Sequence, residues 1–121
     1  MSNGLICIVA DDAAVCDSLR LLLGRHSHAA CCYPSAGAFL KAAQIDNWEC
    51  FLFDDQMPEL SGIELLEVLR ARCIATPAIV MTTVATPKLT HRAARAGAAL
   101  LHKPMTADEL LAAIRRAAPV V

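Results

Sequence analysis

Aromatic side chains are scarce in this chain. One Trp, one Tyr and three Phe make up 4% of 121 residues, although 56% are hydrophobic. A core must therefore come mainly from Leu, Ile, Val and Ala. A dominant sign of charge is lacking too: the net charge is −1 and the pI about 6.4. That balance leaves no electrostatic footprint for nucleic acid or for an anionic membrane surface. No apolar run approaches the roughly 20 residues needed to cross a bilayer. The opening Met1-Ser2-Asn3-Gly4 has no basic stretch of the kind that begins a secretory signal, so a soluble, cytoplasmic chain is expected. Cysteine pairs at metal spacing are also missing. Cys7, Cys16, Cys31, Cys32, Cys50 and Cys73 form no C-x-x-C motif and no fixed spacing with His26, His28, His91 or His102. They read as reduced packing thiols, with Cys31-Cys32 the one adjacent pair.

What the chain does have is a regular alternation of apolar runs and helical stretches. Cys50-Phe51-Leu52-Phe53 is an unbroken apolar run that stops at Asp54-Asp55, the mark of a short parallel strand buried on both faces. Pro58 forbids further ladder, and Gly62 is expected to permit an unusual turn before the next helix. Upstream, Leu5 to Val9 reads as a strand ending at Ala10-Asp11-Asp12. A first helix follows with Val15, Leu19, Leu22 and Leu23 on one face, ending near Gly24. Ala29 to Tyr33 reads as the second strand, and Ser35 as the N-cap of a short helix to about Ala43. Downstream, a helix from near Gly62 to Arg72 turns Ile63, Leu66 and Leu69 inward. Ala78 to Met81 is a fourth strand, ending at Thr82-Thr83. Thr86-Pro87 opens a fourth helix that stops at Gly97. Ala98 to His102 is a fifth strand, and Thr106-Ala107-Asp108-Glu109 is the capping box of a last helix that buries Leu110, Leu111 and Ile114. Five βα units predict an α/β fold: a doubly wound, flavodoxin-like parallel sheet in the order 2-1-3-4-5, with two helices on one face and three on the other.

In that order the switch point lies between the first and third strands, so Asp11 and Asp54 meet at the top of the sheet, beside Thr82 and Lys103. Two close carboxylates repel unless a cation intervenes. A small set of hard oxygen donors suits Mg²⁺, which keeps several waters and bridges to phosphate. A lysine and a hydroxyl next to one carboxylate would neutralise and bind the oxygens of an attached phosphoryl group. The constellation is suited to phosphorylating an aspartate.

Asp54-x-x-Met57-Pro58-x-x-x-Gly62, together with Asp11, Thr82 and Lys103-Pro104, resembles the receiver domains of two-component response regulators, and FixJ-like receivers in particular. The similarity extends through Val15-Cys16-Asp17-Ser18-Leu19-Arg20 and Tyr33-Pro34-Ser35-Ala36-Gly37-Ala38-Phe39-Leu40, and so covers nearly the whole chain. The resemblance implies Asp54 as phosphoacceptor, Thr82 as signalling hydroxyl and Lys103 as phosphate-binding lysine before a cis-bonded proline. It implies Mg²⁺ on Asp11, Asp54 and the backbone carbonyl of Gln56. It further implies a sensor histidine kinase as partner, a DNA-binding output domain or partner protein outside the chain, and a homodimer among the assemblies open to it. One receiver unit, with its core over about residues 4–118, is expected to fill the chain, with no output domain inside it, no direct contact with nucleic acid or membrane, and no enzymatic turnover. The helix 4, strand 5 and helix 5 surface is where such domains carry their signal. Lys88, Arg92 and Arg95 give the fourth helix a basic edge there.

Register separates neighbours. Asp55 stands two residues before Met57 where the family pattern has three, which favours Asp54. Aligned through Ala14 to Arg20, Asp11 falls on the second acid of the family's pair and Ala10 on the first. Asp12 then falls where the family varies, either as a solvated N-cap or as a substitute ligand. Leu100 stands at the switching Tyr or Phe position, after an approach one residue shorter than usual. Thr83 replaces a small residue, and its bulk restricts access to Asp54. These departures motivate a second reading, a phosphorylation-independent interaction or dimerisation module. An aspartate-nucleophile phosphatase would want D-x-D where Asp54-Asp55-Gln56 gives D-x-Q. A flavin phosphate would be repelled by Asp11-Asp12.

Overall fold

The computed structural model describes residues 5–42 and 48–118. The elements are β1 (Ile6–Val9), α1 (Ala13–Arg25), β2 (Ala30–Tyr33), α2 (Ala36–Leu40), β3 (Cys50–Asp54), α3 (Gly62–Ala71), β4 (Ala78–Thr82), α4 (Pro87–Arg95), β5 (Ala98–His102) and α5 (Ala107–Ala117). The strands form one parallel sheet ordered β2-β1-β3-β4-β5. The central strands β1, β3 and β4 are buried along their whole length, which is why their sequences are continuous apolar runs rather than alternating ones. No described helix is long and apolar enough to cross a membrane.

Two apolar layers sandwich the sheet. One unites Cys16 and Leu23 of α1 with Leu110, Leu111 and Ile114 of α5. The other unites α2, α3 and α4 around Phe39, Phe51 and Phe53. All five aromatics of this aromatic-poor chain gather in that second layer. Phe51 and Phe53 stack at 4.9 Å, Phe39 meets both edge-on, and Tyr33 bridges Phe39 to Trp48. Such pairs contribute about 0.5–1.5 kcal/mol each beyond area burial.

Helix starts follow the local chemistry. Ser35, Ser61, Thr86 and Thr106 each accept a backbone N–H of the first turn, and the capping boxes Ser61–Glu64 and Thr106–Glu109 are complete. Helix ends were less legible. Gly97, with φ of 70°, closes α4 as expected, but α1 and α3 close through Ser27 and Cys73 at φ of 67° and 63°. In both, the next residue bonds back to the helix: His28 N–H to the Leu23 carbonyl and Ile74 N–H to that of Leu69. These are Schellman ends built without glycine. The end of the second helix expected near Ala43 lies outside the described residues.

The inward stripe of α1 differs from expectation. Val15 is 40% exposed, and Cys16 takes the buried position beside Leu23, with Leu19 and Leu22 partly covered. The Cys16 Sγ also reaches the Ala10 carbonyl at 3.6 Å. Cys7 and Cys50 are buried as packing thiols, whereas Cys31 and Cys73 are exposed; all six cysteines are free. Burial pushes the Cys50 thiol up to about 12 and raises that of Cys7 as well, so both stay protonated and inert at neutral pH.

Candidate functional site

β3 carries Asp54 to the C-terminal edge of the sheet, where it is 6% exposed. A buried carboxylate must be paired or hydrogen-bonded, and this one is both. Its Oδ1 accepts from Lys103 Nζ at 2.8 Å and from the Gln56 N–H at 3.0 Å. Lys103 reaches it from the end of β5, where its N–H bonds the Thr82 carbonyl at 2.8 Å and its peptide bond to Pro104 is cis. The lysine is thus fixed by backbone on one side and by charge on the other.

Asp55, the neighbouring acid, goes elsewhere. Its Oδ1 accepts the Ile63 N–H at 3.2 Å, placing it on the first turn of α3. Gly62 explains how α3 comes so close. A Cβ there would lie 2.6 Å from the Asp54 carbonyl oxygen and 2.9 Å from its carbon. The expected unusual turn is not its role. Among residues 59–62 the positive φ, 69°, belongs to Glu59, while Gly62 is the first residue of α3 and is required by backbone approach.

Thr82 ends β4, 2% exposed and in register with His102. Its hydroxyl donates to the Val84 carbonyl and accepts the Val84 N–H, both at 3.2 Å. This small turn shapes the β4–α4 loop and leaves Val84 62% exposed. Leu100, at mid-β5 beside Val80, is partly buried against the Phe-bearing layer.

The β1 corner is thinner. β1 pairs with β3, Val9 opposite Phe53, so Ala10-Asp11-Asp12 and Asp54-Asp55 leave the sheet side by side. Ala10 is 1% exposed and Asp11 is exposed. Asp12 is the N-cap of α1, its Oδ1 accepting from Ala14 N–H at 2.9 Å and Val15 N–H at 3.3 Å. The Asp12 side chain thus serves the first turn of α1. Among the described residues no three His, Cys, Asp or Glu side chains come together as a metal-holding group. At this end of the sheet the exposed Asp11 carboxylate and the buried Asp54 carboxylate are the acids not spent on a helix start. They are all hard donors and few in number, the chemistry of a Mg²⁺ that retains much of its water.

Three long-range polar links were invisible in the sequence. Gln56 Nε2 donates to Thr83 Oγ1 at 2.6 Å. Arg92 forms a two-pronged ion pair with Glu67 that ties α4 to α3 and holds the Glu67 carboxyl below the usual carboxylate range. Arg70 donates to the carbonyls of Ala96, Ile74 and Thr76 at 2.7–2.9 Å. The partners of Gln56, Arg92 and the Arg70–Ala96 contact lie 25–27 residues away, so no local pattern announces them. A polar residue on an otherwise inward-facing stretch of α3, as at Glu67 and Arg70, is the one hint available.

The family model of the response regulator receiver domain matches residues 6–115. The transcriptional regulatory protein FixJ of Bradyrhizobium diazoefficiens is 37% identical over 98% of this chain and 60% of its own length. A FixJ of Azorhizobium caulinodans is matched over 52% of its length, so this chain spans a little over half of these relatives. The solved structure of FixJ-N superposes with a TM-score of 0.86 at 32% identity, covering 100% of this chain and 98% of that one. A CheY-like receiver domain protein from Methanospirillum hungatei gives 0.84 at 31% identity, over 95% and 93%. The fold, the strand order and these matches agree, and the chain belongs to the response regulator receiver domain family.

Proposed function

We propose that this chain is a single receiver unit that accepts a phosphoryl group on Asp54 from a sensor histidine kinase. The observation that carries this reading is the Asp54 carboxylate, buried at a strand end with Lys103 Nζ and the Gln56 N–H converging on one of its oxygens at 2.8 and 3.0 Å. Structural carboxylates are usually capped or exposed, as Asp55 and Asp12 are here. A carboxylate oxygen attacks phosphorus in line, a new P–O bond forms, and the P–N bond to the donor imidazole breaks. With acetyl phosphate a P–O bond breaks instead and acetate leaves. Lys103 turns from the carboxylate to a phosphoryl oxygen and offsets its charge. Asp11, Asp54 and the Gln56 carbonyl would hold a Mg²⁺, whose chemistry there would be charge neutralisation. Asp12 remains the cap of α1.

Thr82 is the switching hydroxyl. Turning it toward a phosphoryl oxygen takes it out of the Val84 turn, so the β4–α4 loop must rearrange. With Leu100 at the aromatic position, this loop carries the change to the α4–β5–α5 surface. The carboxylate is the site modified rather than a group regenerated at each turnover, so the domain acts as a signalling module and not as an enzyme. FixJ is named a transcriptional regulatory protein and the Proteus hauseri relative NtrC a DNA-binding transcriptional regulator. An output half of that kind, or a partner protein, is the receiver's target here, in the cytoplasm.

The test is labelling with acetyl phosphate and Mg²⁺, read by intact mass. Wild type is expected to gain one phosphoryl group and Asp54→Asn none. Equal labelling of the Asn variant would move the acceptor elsewhere, and a wild type that never labels, even with a cognate kinase, would favour the phosphorylation-independent interaction module.

A further inference from the structure

Two arginines share a groove at the end of the sheet opposite Asp54. It has a volume of about 530 Å³ and opens where β4 and β5 begin. Arg70 of α3 and Arg116 of α5 form its walls, with Ala75, Ala98 and Ala99 between them. Among the described residues no Asp or Glu lines it. Asp54, Thr82 and Lys103 lie a strand's length away, at the other edge of the sheet.

Arg70 is half-buried and already serves the fold. Its Nε donates to the Ala96 carbonyl at 2.7 Å, and its Nη1 to those of Ile74 and Thr76 at 2.9 and 2.8 Å. A guanidinium carries five N–H donors, so the two on Nη2 remain unspent by these contacts. Burial lowers the Arg70 pKa from its ordinary value, and no carboxylate offsets the charge: Glu67, one turn back on α3, is committed to Arg92. Arg116 is exposed, and one turn back on α5 stand Ala112 and Ala113, so no acid of its own helix screens it. Two guanidinium groups without counter-charge on one groove focus a positive potential there.

We propose that the Arg70–Arg116 groove is a binding site for a phosphate group, free or carried by a small organic ester. Two cations match the charge of a phosphate monoester, about −1.5 to −2 near neutral pH. Their planar N–H forks suit its oxygens better than a point charge would. The groove is roomier than a phosphate alone, and the alanines leave space for a short organic body. The site is independent of the acceptor chemistry at Asp54.

The experiment titrates glycerol 3-phosphate and, separately, inorganic phosphate into the protein by calorimetry. EDTA is present, so that no metal draws phosphate to Asp54. Saturable binding is expected, weakened about tenfold in Arg116→Gln, the loss of one charge-assisted hydrogen bond, and partly restored in Arg116→Lys. Ala99→Glu, which sets a carboxylate in the groove from an exposed position of β5, should abolish binding. Lys103→Ala should bind as wild type does. Tighter binding of the ester assigns the groove to organic phosphates, and equal affinity assigns it to free phosphate; both support the site. No saturable heat with either probe, or full affinity in Arg116→Gln with native circular dichroism, would overturn it. Loss of affinity in Lys103→Ala would overturn it too, by placing the phosphate at the acceptor end.

Discussion

The two halves of the site are built to different standards. On the β3–β5 side, Asp54 is buried, held by two donors and set against a backbone approach that admits only glycine at position 62. On the β1 side, Ala10 offers no carboxylate and Asp11 is exposed, while Asp12 spends its oxygen on the first turn of α1. Charge counting explains how both fit in one site. Three carboxylates facing one lysine would repel strongly without a cation; here Asp12 is turned to α1, Ala10 is neutral, and Asp54 is paired with Lys103. The β3–β5 side brings a buried, doubly held carboxylate to the sheet edge; the β1 side brings an exposed carboxylate and a helix cap.

Lys103→Ala breaks the stronger half most directly. Losing a preorganised donor to the developing phosphoryl charge costs on the order of 100-fold in rate. Label uptake from acetyl phosphate should fall by about that factor while far-UV circular dichroism stays close to wild type. A variant labelling at the wild-type rate would contradict the pairing's role. Gly62→Ala attacks the same half through the backbone. A methyl group 2.6 Å from the Asp54 carbonyl oxygen has only main-chain atoms to displace, so urea denaturation should register a loss of about 1–3 kcal/mol. An unchanged midpoint would mean that α3 can withdraw freely.

Asp12→Ala sharpens the other half. Removing an N-cap oxygen costs about 1 kcal/mol, so this variant should be slightly less stable yet label on Asp54 as wild type does. Loss of labelling at intact stability would place Asp12 in the site and not at the cap.

Much of this molecule was legible in advance because its signals are local. Strand ends at Val9, Asp54 and Thr82, the caps at Ser35, Thr86 and Thr106, and the glycine end of α4 are all decided within a few residues. Sheet order alone brings the ends of β3, β4 and β5 together, and with them Asp54 and Lys103. What escaped has non-local causes. Val15 was expected inward, yet Cys16 takes the buried position, its thiol against the Ala10 carbonyl of the β1 end. Gly62 looked like a turn residue, yet its constraint comes from atoms of β3 that only tertiary structure brings near. Ser27 and Cys73 end helices in a left-handed conformation that their side chains do not advertise.

The contrast between the two halves is tested most directly by titrating Mg²⁺ calorimetrically into wild type, Ala10→Asp, Asp11→Ala and Asp12→Ala. Restoring one carboxylate adds a charge at roughly 4–6 Å, worth a few kcal/mol before screening and desolvation, and about 1–2 kcal/mol after them. Ala10→Asp should therefore tighten the dissociation constant about tenfold. Asp11→Ala should weaken it severely, and Asp12→Ala should leave it near wild type. If Asp12→Ala abolishes binding and Ala10→Asp gains nothing, the cap has a second life as a ligand, and the division of the site into a finished half and a thinned half is wrong.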